Sequence, residues 1–289
     1  MTTDPARHLV ETDWLEANLD NPAVRVLECT TILRRTDDGR LRAESARDLW
    51  AASHIPGSVF ADLPGELSDR TAKLRFMMPP AEQFAAAMSS YGVAPGVRAV
   101  LYDRAAGMWA ARIWWMLRAF GFDDAAVLNG GWTKWTAEGR PTSDAAPVPR
   151  TATFEARPRP ELIASRDEVV AAIEDGQSCI VNALSEEQHR GDGASPYGRP
   201  GRIASSVNVP ANSLVDPATN AYLPLDQLRA RFAEVGATEA GRTITYCGGG
   251  IAASNDAFIL TLLGHEHVAV YDASLSEWAA DPDLPMETG

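Results

Sequence analysis

Cysteine is scarce in these 289 residues: Cys29, Cys179 and Cys247 are the whole set. So odd and sparse a set excludes a disulfide framework and fits a reducing compartment. Positive charge is also short, with 26 basic against 39 acidic residues and a formal net charge of −13. That balance argues against nucleic acid or an anionic membrane as a general partner. An anionic ligand has to be attracted locally, by backbone N–H groups or a few arginines. Long apolar runs are missing too. The most apolar helix candidate, Met108 to Phe120, carries Arg112 and Arg118 and is too short to span a bilayer. The opening Met-Thr-Thr-Asp-Pro-Ala-Arg-His lacks the basic-then-apolar pattern of a signal peptide, so a soluble, cytoplasmic protein is expected. Metal motifs are lacking as well. His265 and His267 flank Glu266, but no Cys or His pair stands at a matching distance, and no metal is expected.

What is present is enough for two domains, since 45% of the residues are hydrophobic. The chain repeats itself. Val100-Leu101-Tyr102-Asp103 through Gly121 to Trp135 returns as Ile244-Thr245-Tyr246-Cys247 through Gly264 to Trp278. Each copy reads as a strand, a loop, an amphipathic helix closed by glycine, a second strand and a Trp-bearing helix. Upstream, Val24-Arg25-Val26-Leu27-Glu28 answers Ser178-Cys179-Ile180-Val181-Asn182. Strands alternating with helices in both halves predict an α/β protein with parallel sheets covered on both faces. Between the halves, prolines at 141, 147, 149, 158 and 160 remove backbone donors and block helix. The expected division is a first domain over residues 1–140, a surface linker over 141–160 and a second domain over 161–289. Within the second, Ser165-Arg166-Asp167-Glu168 has the form of a capping box, and Pro224 opens a helix that runs to Val235-Gly236.

The two copies are chemically unequal at one point. In the second, the apolar run Thr243-Ile244-Thr245-Tyr246 delivers Cys247 at its end, and Gly248-Gly249-Gly250 lead into a helical pattern from Ile251. Glycines let successive N–H groups converge on one spot, and the helix start adds its positive end. That setting favours a thiolate, the nucleophilic form of cysteine. In the first copy the matching residue is Asp103, whose carboxylate repels anions. The second half is therefore expected to be catalytic and the first to be scaffold and wall. Cys29 and Cys179, on matching early strands, read as small core hydrophobes.

These residues together resemble the tandem-domain rhodaneses, the thiosulfate and 3-mercaptopyruvate sulfurtransferases. The resemblance rests on His54-Ile55-Pro56-Gly57, Asp69-Arg70-Thr71, Arg112-Ile113-Trp114-Trp115-Met116 and Leu128-Asn129-Gly130-Gly131-Trp132. It continues through Tyr197-Gly198-Arg199-Pro200-Gly201, Val207-Asn208-Val209-Pro210, the cysteine loop and Ser276-Glu277-Trp278. It implies two rhodanese-like domains, only the second active, and double displacement through a Cys247 persulfide cradled by Gly248, Gly249, Gly250, Ile251 and Ala252. No cofactor is implied. The partners implied are a small sulfur donor and a thiol or cyanide acceptor, a thioredoxin-like protein among the candidates.

Departures from the family pattern bear on the donor. Thiosulfate-preferring relatives carry two basic residues where this chain has Gly248 and Gly249, which puts 3-mercaptopyruvate ahead of thiosulfate. The mercaptopyruvate type has Ser or Asp at the position of Gly249 and Thr at that of Ala252. Gln188 stands where a substrate-binding arginine is expected, and Arg190 and Arg199 are the candidate carboxylate clamp. His54 has two readings, proton transfer across the domain interface or fixing the turn at Pro56-Gly57. The related cysteine phosphatases need an arginine closing the loop, and the position six after Cys247 is Ala253. The competing class is a rhodanese module without turnover, acting as a protein persulfide relay or binding partner.

Overall fold

The structure, a computed structural model, describes residues 7–37, 41–150 and 152–289. The first half contains β1 (Leu9–Val10), α1 (Thr12–Ala17), β2 (Val24–Glu28), β3 (Thr31–Arg35), β4 (Leu41–Ser45) and α2 (Arg47–Ala52). It continues with β5 (Val59–Phe60), α3 (Ala81–Tyr91), β6 (Arg98–Tyr102), α4 (Met108–Ala119), β7 (Ala125–Leu128) and α5 (Gly131–Ala137). The second half contains β8 (Ile163–Ala164), α6 (Arg166–Asp175), β9 (Ser178–Asn182), α7 (Glu186–Arg190), β10 (Arg202–Ile203) and β11 (Val207–Asn208). After these come α8 (Leu225–Glu234), β12 (Arg242–Tyr246), α9 (Ile251–Leu262), β13 (Val268–Tyr271), α10 (Ser274–Trp278) and β14 (Met286–Glu287).

Each half builds one five-stranded sheet, in the orders β1-β7-β6-β2-β5 and β11-β9-β12-β13-β8. All pairings within them are parallel. Reversing one order gives the other with every strand matched to its repeat partner. The register matches as well: Glu28 pairs with Tyr102, and Asn182 with Tyr246. Even the polar details repeat. The Ile55 N–H donates to the Tyr102 hydroxyl at 3.2 Å, and the Ile203 N–H to that of Tyr246 at 3.0 Å. Trp135 and Trp278 each donate their indole N–H to a proline carbonyl, of Pro141 and Pro285. Parallel strands covered by helices on both faces need continuous apolar sequence, and Val100, Leu101, Ile244, Ala269 and Val270 are all fully buried.

The predicted helix boundaries hold. Ser165 caps α6 with both bonds of the capping box, and α8 closes with Gly236 in the left-handed conformation. The proline-rich connection is extended, as its composition requires, and mostly exposed, but it is pinned to the first half at several points. Arg157 and Arg159 donate backbone N–H groups to Phe120 and Ala119, and Phe154 is buried beside Phe84 and Phe122. One aromatic in an otherwise polar stretch supplies the apolar area that docks it.

The two halves meet along α4 and α9, where Trp114 packs edge-on against Phe258 with ring centroids 4.8 Å apart. A hairpin inserted in the first half, β3 paired with β4, has no counterpart in the second, and it reaches over to the end of β12. Among the described residues no helix is long and apolar enough to cross a membrane.

Candidate functional site

Strand β12 is buried from Thr243 onward, and Cys247, only 3% exposed, follows its last residue, Tyr246. The three glycines then carry the chain into α9, a helix buried on nearly every face. Two of the glycines are required by space. A Cβ on Gly248 would come within 2.0 Å of Tyr197 Cζ, whose ring lies directly on the loop. Gly250 has φ of 78°, and a Cβ there would come within 2.6 Å of Asp272 Oδ1.

Ser274 sets the loop's shape. Its Oγ accepts the N–H groups of Cys247 at 3.0 Å and Gly250 at 3.2 Å and donates to the Tyr271 carbonyl. Ser276 and Leu275 hold the outer side, their N–H groups donating to the carbonyls of Gly248 and Cys247. Among the described residues, the N–H groups of Gly248, Gly249, Ile251 and Ala252 find no acceptor. Those residues and Cys247 line a cavity of about 250 Å³. Unpaired amides at a helix start, facing a cavity, form a site for an anion.

The first half closes this cavity. Phe76, Met108, Leu33 and Leu41 contribute apolar wall, and among the described residues Arg75 is the one charged lining residue. The Arg75–Phe76 segment is fixed by a buried ion pair that joins the halves. Arg112 of α4 lies 2.6 Å from Asp272, with side-chain exposures of 0% and 4%. Arg112 also donates to the Phe76 carbonyl at 2.6 Å, and the Met78 N–H donates to Asp272 at 2.9 Å. Phe76 is thereby held at φ of 64°, a conformation that costs a side-chain-bearing residue about 1–3 kcal/mol. Tyr197 faces the cavity from the opposite side. Burial and the neighbouring Cys247 push its hydroxyl up to about 12, against the opposing pull of Arg75 and Arg35.

The expected site residues divide. Cys247, Gly248, Gly249, Ile251, Ala252 and Gln188 all line the cavity. Gly250 does not, because Ser274 takes its N–H and its Cα faces the Arg112–Asp272 pair. Arg190 and Arg199, the expected carboxylate clamp, must be corrected. Arg190 turns to Glu186 and Asp192 on the surface. Arg199 donates to the carbonyls of Trp278, Ala279, Asp281 and Leu284, and so staples the C-terminal segment. His54 is corrected in the same way. It lies outside the cavity, stacked on Trp50, with Nδ1 2.8 Å from the Trp50 carbonyl and Nε2 3.2 Å from that of Ala145. Its place fits the second reading, a histidine that fixes local structure. Sequence reasoning missed Arg75, Phe76 and Ser274. Nothing local marks the first two, since their role arises from packing across the halves. Ser274 stands in the helix that carries the Ser276-Glu277-Trp278 motif, and that was the available signal. Among the described residues no three His, Cys, Asp or Glu side chains gather as a metal site.

A profile of the rhodanese-like domain matches residues 11–138 and again 165–281. The chain is 32% identical over 301 residues to thiosulfate/3-mercaptopyruvate sulfurtransferase 2 of Arabidopsis thaliana, covering 96% of this chain and 86% of that protein. It is 31% identical over 280 residues to the 3-mercaptopyruvate sulfurtransferase of Escherichia coli K12, covering 96% and 97%. It is 30% identical over 296 residues to the sulfur carrier protein TtuD of Thermus thermophilus, covering 97% and 96%. The crystal structure of SseA from Escherichia coli superposes with a TM-score of 0.81 at 28% identity, over 92% of this chain and 98% of that one. The chain belongs to the rhodanese-like family, within its sulfurtransferases.

Proposed function

We propose that Cys247 carries a sulfane sulfur as a persulfide, taking it from a small donor and passing it to a thiol or to cyanide. The observation that carries this reading is a nearly buried cysteine at the floor of a cavity, ringed by backbone N–H groups that no protein acceptor uses. The thiolate attacks the donor's outer sulfur and forms an S–S bond. With 3-mercaptopyruvate the C–S bond breaks and the enolate of pyruvate leaves, taking a proton from water; with thiosulfate an S–S bond breaks and sulfite leaves. The acceptor thiolate then attacks the outer sulfur, the bond to Cys247 breaks, and the free thiolate returns. The Cys247 thiolate that attacks in the first step and the one that leaves in the second are the same anionic sulfur within reach of the loop amides, so one cradle serves both halves of the cycle.

The loop itself supplies no side-chain cation beside Cys247, which disfavours a dianionic donor and supports 3-mercaptopyruvate over thiosulfate. Gln188 adds a neutral hydrogen-bonding group. A second reading, persulfide relay from a protein donor, is favoured by the likeness to a protein named as a sulfur carrier. One experiment separates the two. The reduced protein is exposed briefly to 3-mercaptopyruvate or thiosulfate and its intact mass measured, with Cys247→Ser as control. A one-sulfur adduct on wild type alone, removed by thiol or cyanide, is the expected result. No adduct from either donor would sink the small-donor reading in favour of relay.

A further inference from the structure

The wall of the cavity is unlike what a small inorganic anion needs. Apolar side chains from both halves make up most of it: Leu33, Leu41, Phe76 and Met108 from the first, Leu184 and Ile251 from the second. Arg75 is the only charged side chain among the lining residues. A pocket of this kind takes its affinity from apolar contact and its orientation from a few polar groups.

Those polar groups are available. Among the described residues neither the Arg75 guanidinium nor the Tyr197 hydroxyl has a hydrogen-bond or ion-pair partner within the protein. The Arg75 carbonyl lies 3.9 Å from the position of a Cβ on Gly249, so the cation is rooted beside the cysteine loop. Arg75 and Tyr197 both line this one cavity with Cys247. One guanidinium matches one carboxylate, and a phenol can donate to the same group.

We infer that this cavity takes an organic thiol with an apolar body and a single carboxylate, and that Arg75, from the first half, selects for that carboxylate. The inference rests on the persulfide reading. The thiolate of such a compound attacks the outer sulfur of Cys247–S–SH. The new S–S bond gives R–S–SH, the old one breaks, and Cys247 leaves as thiolate.

The test uses the full chain loaded with inorganic polysulfide, the one-sulfur adduct being confirmed by intact mass. Three probes then unload it: 2-mercapto-3-phenylpropanoate, 2-phenylethanethiol, which lacks the carboxylate, and 2-mercaptopropanoate, which lacks the ring. We expect kcat/KM for the first to exceed each of the others by roughly 10- to 100-fold. In Arg75→Ala the ratio between the two ring-bearing probes falls toward one, through KM, and Arg75→Lys keeps part of it. Equal rates for all three probes, or an unchanged ratio in Arg75→Ala, overturn the inference while leaving the persulfide intact. If instead no adduct forms, the persulfide reading has failed, and calorimetric titration of the unloaded protein decides the pocket's preference. 3-Phenylpropanoate binding more tightly than propanoate or 2-phenylethanol supports the inference, and equal or absent binding overturns it.

Discussion

The two equivalent loops, one after β6 and one after β12, solve the same electrostatic problem in opposite ways. Both follow a buried strand and lead through a left-handed glycine, Gly107 or Gly250, into a buried helix. Both therefore present several backbone N–H groups to one point. In the first half Asp103 fills that point with its own carboxylate. Oδ1 accepts from Ala105 and Gly107 at 2.8 and 3.1 Å, and Oδ2 from Trp109 and Ala110 at 2.9 and 3.0 Å. In the second half the corresponding side chain is Cys247, and the amides of Gly248, Gly249, Ile251 and Ala252 are left without a protein acceptor. On the proposed function, the two loops differ by whether the anion is built in or brought in. In the filled loop Asp103 itself satisfies the N–H groups at the start of α4.

The comparison can be broken at several depths. Cys247→Ser should reduce persulfide formation and turnover by about 10³-fold or more, because the reacting atom itself is removed. Steady-state rates and intact mass report it, and retained turnover would remove Cys247 from the chemistry. Arg112→Met leaves Asp272 as an unpaired charge between the halves and should cost about 3–5 kcal/mol in urea unfolding. Glu28, beside the filled loop, gives the next largest effect. Burial pushes its carboxyl up to about 7 from an ordinary 4.5, despite the Thr30 hydrogen bonds and nearby Arg104. A carboxyl raised on folding is easier to bury protonated than ionised. Its contribution is therefore lost as pH rises from about 4.5 to about 7 and stays lost above. Glu28→Gln should remove that slope and gain about 3 kcal/mol over wild type at pH 8, the two converging near pH 4. Urea midpoints across this range decide the sign. Asp103→Asn turns an amide NH2 toward N–H groups that now meet carboxylate oxygen and should cost about 2 kcal/mol. Persulfide loading at Cys247 should survive it. Loss of loading in a folded Asp103→Asn protein would show that the two loops are not independent.

Much of this was legible in the sequence because it is local or repeated. The Thr243–Tyr246 run, the glycines and the apolar pattern from Ile251 fix strand, turn and helix within twenty residues. The repeat doubles that information, down to Tyr102 and Tyr246. The capping box at Ser165 is a four-residue signal and needs no tertiary context. What could not be read is what one half does to the other. Arg190 and Arg199 have the right chemistry in the right neighbourhood, but neighbouring carboxylates claim one and C-terminal carbonyls the other. Arg75 lies some 170 residues from Cys247 in a stretch with no pattern of its own, and the Arg112–Asp272 pair brings it to the loop. For His54 the sequence left two readings open, and the choice between them rests on carbonyls at positions 50 and 145, the second of them in the proline-rich connection.

That the roof over Cys247 is drawn from the silent half has a consequence for how such a chain changes over generations. The reactive loop tolerates little variation, because Tyr197 and Asp272 crowd the backbone at Gly248 and Gly250. Leu33 and Leu41 stand on the β3–β4 hairpin and Arg75 on a loop, in a half whose own cradle is already filled by Asp103. Drift there can redirect the enzyme to a new molecule while the chemistry beneath is inherited unaltered. On the proposed function, the copy that carries Asp103 in place of the cysteine is the part of the protein free to choose what the other copy acts on.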